Sequence, residues 1–265
     1  MFDKLEFPKL SLSEVTVLIE NSTRRKYQYV RKFLEEDTQS EYLQYEKNYP
    51  TSYSDAKNIT RLTSINGLSK ADAIKIYENR FTQSGARDYF NAQLSGICTI
   101  CGAQIAGQLD HVLPKSQFPQ YVVTPLNLVP ICASCNSKKG DVIGFNPYYQ
   151  DESNLSGLSF SFNFKDPTNF IFLNIDHNSD LEEFMEIYDI RNLISIYAAD
   201  KIKAILRIVN LTNITSIEKF KDLLENGRSD ISTNPKWAKV LFTDLLSADG
   251  KPEELFNNRL LFNNA

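Results

Sequence analysis

No stretch of this 265-residue chain approaches about 18 continuous apolar residues, so no membrane span is expected. The N-terminal MFDKLEFPKL lacks a basic run followed by an apolar one, so no secretory signal is expected either. Gly and Pro stand at only 10 each, which excludes a collagen-like chain and a Pro/Gly-rich disordered one. Nor is there an excess of basic charge, since the formal net charge is -4. A uniformly basic surface is thereby excluded as the means of finding nucleic acid, while a local basic patch is not. Neither a long low-complexity tract nor an internal repeat is strong enough to argue from. Against these absences stand 42% hydrophobic and 23% charged residues, ordinary values for a folded protein of one or two domains.

Charge divides the chain unevenly. Residues 1–97 carry a net +1, residues 98–140 a net +2 and residues 141–265 a net -7. A polyanion is therefore expected to meet the first half. Three regions are expected: a mostly helical N-terminal region (1–97) for nucleic-acid or partner contact, a central unit (98–147), and a C-terminal hairpin-and-helix region (148–265).

Within 1–97 a helical pattern runs from Ser13 to Glu36, with a break near Asn21-Ser22-Thr23. Arg24, Arg25, Lys26, Arg31 and Lys32 make it locally basic. A second helix is expected over Ser69–Asn79, capped by Ser69 and burying Ala73, Ile76 and Tyr77. In the C-terminal region FSFNF (160–164) and FIFLNI (170–175) alternate around an Asp-Pro turn and predict a β-hairpin. A helical pattern follows from Leu181 to Val209. Shorter helices are expected over Ser216–Leu224, Pro235–Leu246 and Pro252–Leu260. Phe220, Trp237, Phe242 and Phe256 are read as core. The Asp176-His177 pair is read as a surface loop.

The central unit carries the chemistry. All 4 cysteines fall there as two C-x-x-C pairs, Cys98 with Cys101 and Cys132 with Cys135. Without an export signal a reducing cytoplasm is the expected compartment, and there this spacing favours metal over disulfides. Four thiolates fill a tetrahedral zinc site and leave no open position for substrate, so the metal is expected to be structural. Gly102 lets the chain turn back after the first pair. Between the pairs, Gln108-Leu109-Asp110-His111 reads as the end of a short strand. A helix is expected to begin at the second pair, with Asn136 in its first turn.

These residues together resemble the HNH endonucleases, a ββα-metal fold built on a zinc-bearing treble clef. The matching positions are Cys98, Cys101, Asp110-His111, Asn127, Cys132, Cys135 and Asn136, and the arrangement is similar to the four-cysteine branch of that family. The context PKSQFPQY and LNLVPICASCNSKKG also looks like HNH proteins found beside ATPases in bacterial phage-defence systems. Asn136 stands where many family members carry histidine. The resemblance implies an α+β fold with the HNH core flanked by mostly helical regions. It implies a metal-dependent endonuclease hydrolysing DNA, or alternatively RNA, to a 5′ phosphate and a 3′ hydroxyl. His111 would be the general base. Asp110 and Asn136 would hold one magnesium or manganese ion through hard oxygen atoms. Asn127 would brace the loop and fix the His111 ring. Lys115, Lys138 and Lys139 are candidates for contacts to flanking phosphates. A defence role and a partner ATPase would follow from the same resemblance. The alternative outside catalysis is a non-cleaving, zinc-organised nucleic-acid-binding or protein-interaction module.

Overall fold

A computed structural model of the chain describes residues 5–22, 27–93, 96–149, 157–230 and 235–262. The fold is α+β, with three small antiparallel two-stranded sheets among the described residues. The chain divides into two compact bodies. The first comprises Lys4–Thr99 and Gln104–Gln150, the second Ile100–Ala103 and Asp151–Ala265.

In the first body, α1 (Leu12–Ser22) opens on a reciprocal cap. The Ser11 amide donates to the Glu14 carboxylate at 2.8 Å, and the Glu14 amide donates back to Ser11 Oγ at 3.3 Å. Leu12, Val15 and Ile19 recur on one face and are buried. The helical run expected from Ser13 is interrupted near the anticipated point, since α1 ends at Ser22 and α2 spans Gln28–Phe33. Arg24, Arg25 and Lys26 lie outside the described residues.

A helix not anticipated, α3 (Glu36–Ser54), follows. Pro50 inside it and its polar composition hide it from a periodicity reading. Its signal is tyrosine at 42, 45, 49 and 53, a spacing that stacks the rings along one face. Strands β1 (Ser64–Ile65) and β2 (Leu68–Ser69) form a minimal hairpin. Asn66 and Gly67 turn it, both at positive φ (43° and 80°), which is why Asn-Gly stands there. Helix α4 (Lys70–Asn79) is capped as expected, Ser69 Oγ accepting from the Asp72 amide at 3.1 Å, and it buries Ala73, Ile76 and Tyr77. Helix α5 spans Ala86–Gln93.

Strands β3 (Gln108–His111) and β4 (Leu128–Ile131) pair antiparallel, with Asp110 opposite Val129 and His111 opposite Leu128. Cys132 caps α6 (Ala133–Lys139), its Sγ accepting from the Cys135 amide at 3.5 Å. The strands do not stand alone. Leu109, Leu128, Val122 and Val123 join one core with residues of α1, α2 and α4. Helix α3 ties down the loop between β3 and β4. Tyr42 donates to the Pro119 carbonyl at 3.3 Å, Tyr49 packs edge-on against Tyr121, and the Tyr49 hydroxyl donates to Asn127 Oδ1 at 2.9 Å.

In the second body the expected hairpin forms from β5 (Leu158–Phe162) and β6 (Ile171–Ile175), with Phe160 opposite Leu173. The long helical run divides into α7 (Ser179–Tyr188) and α8 (Arg191–Leu211), because Asp189 takes a left-handed conformation at φ 46°. Helices α9 (Ile217–Ser229), α10 (Lys236–Ser247) and α11 (Lys251–Asn257) complete it. Phe220, Trp237, Phe242 and Phe256 are buried. The Trp237 indole donates to the Cys101 carbonyl at 2.9 Å. No described helix is long and apolar enough to cross a membrane.

Tyr49 is fully buried and joins three elements, since its hydroxyl also accepts from Asn146 Nδ2 at 3.1 Å. Tyr49→Phe leaves polar atoms of Asn127 and Asn146 without that partner. It is expected to cost about 1–3 kcal/mol in urea denaturation with an unchanged m-value.

Candidate active site and cysteine cluster

The two C-x-x-C pairs meet. The Sγ atoms of Cys98, Cys101, Cys132 and Cys135 all lie within 4.8 Å of one another. All four residues are buried and none is in a disulfide. A tetrahedral zinc with bonds of about 2.3 Å would set its sulfurs roughly 3.8 Å apart, so the cluster has the dimensions of such a site. The first pair lies in a knuckle closed by the Cys98 amide donating to the Gln104 carbonyl at 2.7 Å. Gly102 turns it at φ 64°, a conformation that favours glycine. The second pair is delivered by the run of β4 directly into α6.

Strand alternation separates the two residues that are adjacent in sequence. Asp110 and His111 point to opposite faces of β3. Gln108 and Asp110 share the face that meets α6. Asn136 Nδ2 donates to Gln108 Oε1 at 2.7 Å, and one helical turn later Lys139 reaches Asp110. On the other face the rings of His111 and Tyr77 meet edge to face, with centroids 4.3 Å apart.

His111 Nε2 lies 2.9 Å from the Val122 carbonyl. A carbonyl only accepts, so Nε2 carries the proton and the lone pair of the neutral ring falls on Nδ1. Burial lowers the imidazole pKa to about 3, with Lys115 and Lys139 adding to the effect and the Val122 carbonyl opposing it. The ring is therefore neutral at pH 7.

Asp110 is buried, and burial pushes its carboxyl above the usual carboxylate range, partly offset by the Lys139 ammonium. Lys139 Nζ donates to Asp110 Oδ1 at 3.3 Å and to the His111 carbonyl at 2.9 Å. Asp110 Oδ2 is 3.1 Å from the same nitrogen but outside hydrogen-bonding geometry, and it has no hydrogen-bond partner. An orphaned, buried carboxylate oxygen is a hard donor that suits a divalent ion, and Asn136 offers a second, half-buried amide on α6, the helix that carries Lys139. The fit has a condition, because a lysine cation already stands at that oxygen.

Asn127 is fully buried and uses its whole side chain. Nδ2 donates to the carbonyls of Leu113 and Tyr121 at 3.1 and 3.0 Å. Oδ1 accepts from the Leu113 amide at 2.8 Å and from Tyr49. The amide thus binds the loop rather than the His111 ring itself. The ring is held one residue beyond Tyr121, by Val122.

Of the three lysines considered for phosphate contact, Lys138 is exposed and Lys115 half-buried. Lys115 pairs with Glu78 at 2.7 Å and lies over the Tyr77 ring. Lys139 departs from the expectation of a phosphate contact. Its side chain is 1% exposed and committed to Asp110 and the His111 carbonyl, so in this conformation it reaches no outside phosphate. The residues that sequence reasoning missed are Tyr49, Tyr77 and Val122, each acting through the loop or ring it touches. Only the tyrosine spacing of α3 carried a signal for any of them.

Residues 98–142 match the family model described as HNH endonuclease, so this stretch is an HNH endonuclease domain. A curated relative is the protein ea31 of Escherichia phage lambda, 37% identical over 95 residues, or 32% of this chain. The chain spans about a third of that relative's length, the match covering 31% of it. No solved structure matches the chain.

Protein purified without added metal is expected to carry about one zinc per chain. Cys135→Ser is expected to lose it, and chelation of the wild type to lower its melting temperature, because so small a strand pair and helix have little core of their own. Metal analysis and a thermal scan check this. Absent zinc together with disulfides found by mass would contradict it.

Proposed function

We propose that the protein is a metal-dependent endonuclease that hydrolyses phosphodiester bonds in DNA at the Asp110–His111 site. The observation that carries this is the hydrogen bond of His111 to Val122, inside an HNH endonuclease domain. It leaves Nδ1 without a proton, the atom through which a general base would act. Asp110 and Asn136 are the residues that would hold magnesium or manganese. When bound, such an ion would stabilise the negative charge that grows on phosphate and leaving-group oxygens. His111 would take the proton of the attacking water at Nδ1. Asn127, through its four hydrogen bonds, would keep the 113–122 loop and so the Val122 carbonyl in place. Lys115 and Lys138 would hold phosphates beside the one cleaved, in keeping with the net +2 of residues 98–140.

A role as an antiviral effector working with a partner ATPase in the cytoplasm is supported by the resemblance of the motif context to defence nucleases. Purification of the full chain with its neighbours, with and without phage challenge, tests it.

The enzymatic reading is tested by a cleavage panel of plasmid, linear, branched and RNA substrates with magnesium or manganese. Ion-dependent DNA cleavage is expected. His111→Ala should reduce single-turnover cleavage by roughly 10²–10⁴-fold while substrate still binds and zinc is retained. Cleavage confined to RNA would transfer the activity to that substrate. Cleavage by His111→Ala at the wild-type rate would remove the assignment from this site. Binding of DNA with no cleavage under any ion would make the domain a non-cleaving binding module.

Asn136→Ala removes a neutral oxygen ligand and leaves Asp110 in place. Its cleavage rate should fall and recover in part as magnesium is raised, whereas the His111→Ala defect should not respond. A magnesium titration of single-turnover rates distinguishes the two.

A further inference from the structure

The Asp110–Lys139 pair is unusual for a site that is to receive a divalent ion. The Lys139 side chain is 1% exposed and that of Asp110 9%. The ammonium lies 3.3 and 3.1 Å from the two carboxylate oxygens and donates to the His111 carbonyl at 2.9 Å. It projects from α6 one turn after Asn136, so it enters from the same helix as the second proposed ligand. A divalent ion on Asp110 would meet this positive charge at close range, in surroundings where water screens poorly. Both carboxylate oxygens lie within 3.3 Å of the ammonium, so an ion bound to either would crowd and repel it.

We propose that Lys139 is a resident cation on Asp110 that a divalent ion must displace, so that Lys139 sets how much ion the site needs. The inference rests on reading Asp110 as an ion ligand. Before the ion arrives, the ammonium neutralises a carboxylate that burial would otherwise disfavour. When the ion takes the carboxylate, the ammonium leaves both Asp110 and the His111 carbonyl. Lys139 is then a positioning residue that competes with the metal, and its removal has two consequences. The ion should bind more tightly, and the empty site should be less stable.

The test is manganese binding to the full, zinc-containing chain, followed by electron paramagnetic resonance and calorimetry without nucleic acid. Lys139→Met keeps the length and apolar stem while removing the charge. It is expected to bind manganese at least about tenfold more tightly than wild type, and Asp110→Asn added to it should abolish the gain. Manganese should also raise the melting temperature of Lys139→Met more than that of wild type.

A second measurement needs no variant. In wild type, Lys139 should resist acetylation by acetic anhydride until magnesium is added, and should then label several-fold faster by peptide mass spectrometry. Equal manganese affinity in wild type and Lys139→Met, both lost with Asp110→Asn, would overturn the inference and leave Asp110 as the ligand. Weaker binding by Lys139→Met would overturn it as well, making Lys139 a support for the ion. Unchanged acetylation of Lys139 with magnesium bound would do the same. If no protein binds manganese in a way that depends on Asp110, the ion-ligand reading fails and this inference with it.

Discussion

The carboxamide of Asn127 is the constraint on which the site depends. It is fully buried and has two N–H donors and two acceptor positions, and all four are used. Leaving any of them unmade inside the protein would cost about 1–3 kcal/mol, so the amide permits essentially one arrangement of its partners. Those partners are the Leu113 amide and carbonyl at the start of the loop, the Tyr121 carbonyl near its end, and Tyr49 of the long tyrosine-bearing helix. Fixing Tyr121 fixes Val122, and the Val122 carbonyl is what meets His111 Nε2. One buried amide thus connects a helix of the N-terminal region to the orientation of an imidazole it does not touch.

Strand alternation supplies the second half of the arrangement. A dipeptide Asp-His in a β-strand sends its two side chains to opposite faces. The carboxylate faces the helix that follows the cysteines, where Asn136 and Lys139 stand one turn apart. The imidazole faces Tyr77 and the loop. The side that would hold an ion and the side that holds the proton on Nε2 are set by the same four residues of backbone. The pairing of that strand with Leu128–Ile131 ties both faces to the cysteine-capped helix.

Much of this was legible in the sequence. The cysteine spacing, Gly102, the strand ending at His111, the helix beginning after Cys132, the Ser69 cap and the C-terminal hairpin follow from local rules of spacing, turns and caps. What was not legible depends on residues far apart in the chain. The helix of residues 36–54 contains Pro50 and few apolar residues, so its tyrosine stripe lacks the apolar pattern of a buried face. The link from Tyr49 to Asn127 spans 78 positions. Lys139 shows the same dependence on distant residues. A lysine late in a short, polar helix has every local mark of exposure, and its burial follows only from the approach of Asp110, 29 residues earlier. Family resemblance named the candidate residues, and tertiary contact decided what each of their side chains meets.

The most direct measurement is the ¹⁵N ring spectrum of His111 at pH 7 in the full, zinc-containing protein. The chain has 2 histidines, so His177→Gln leaves a single imidazole to observe. A neutral ring with its proton on Nε2, held by Val122, and a bare Nδ1 is expected. A ring protonated on Nδ1, or a charged imidazolium, would contradict it, because neither offers the lone pair that a general base at this site must present.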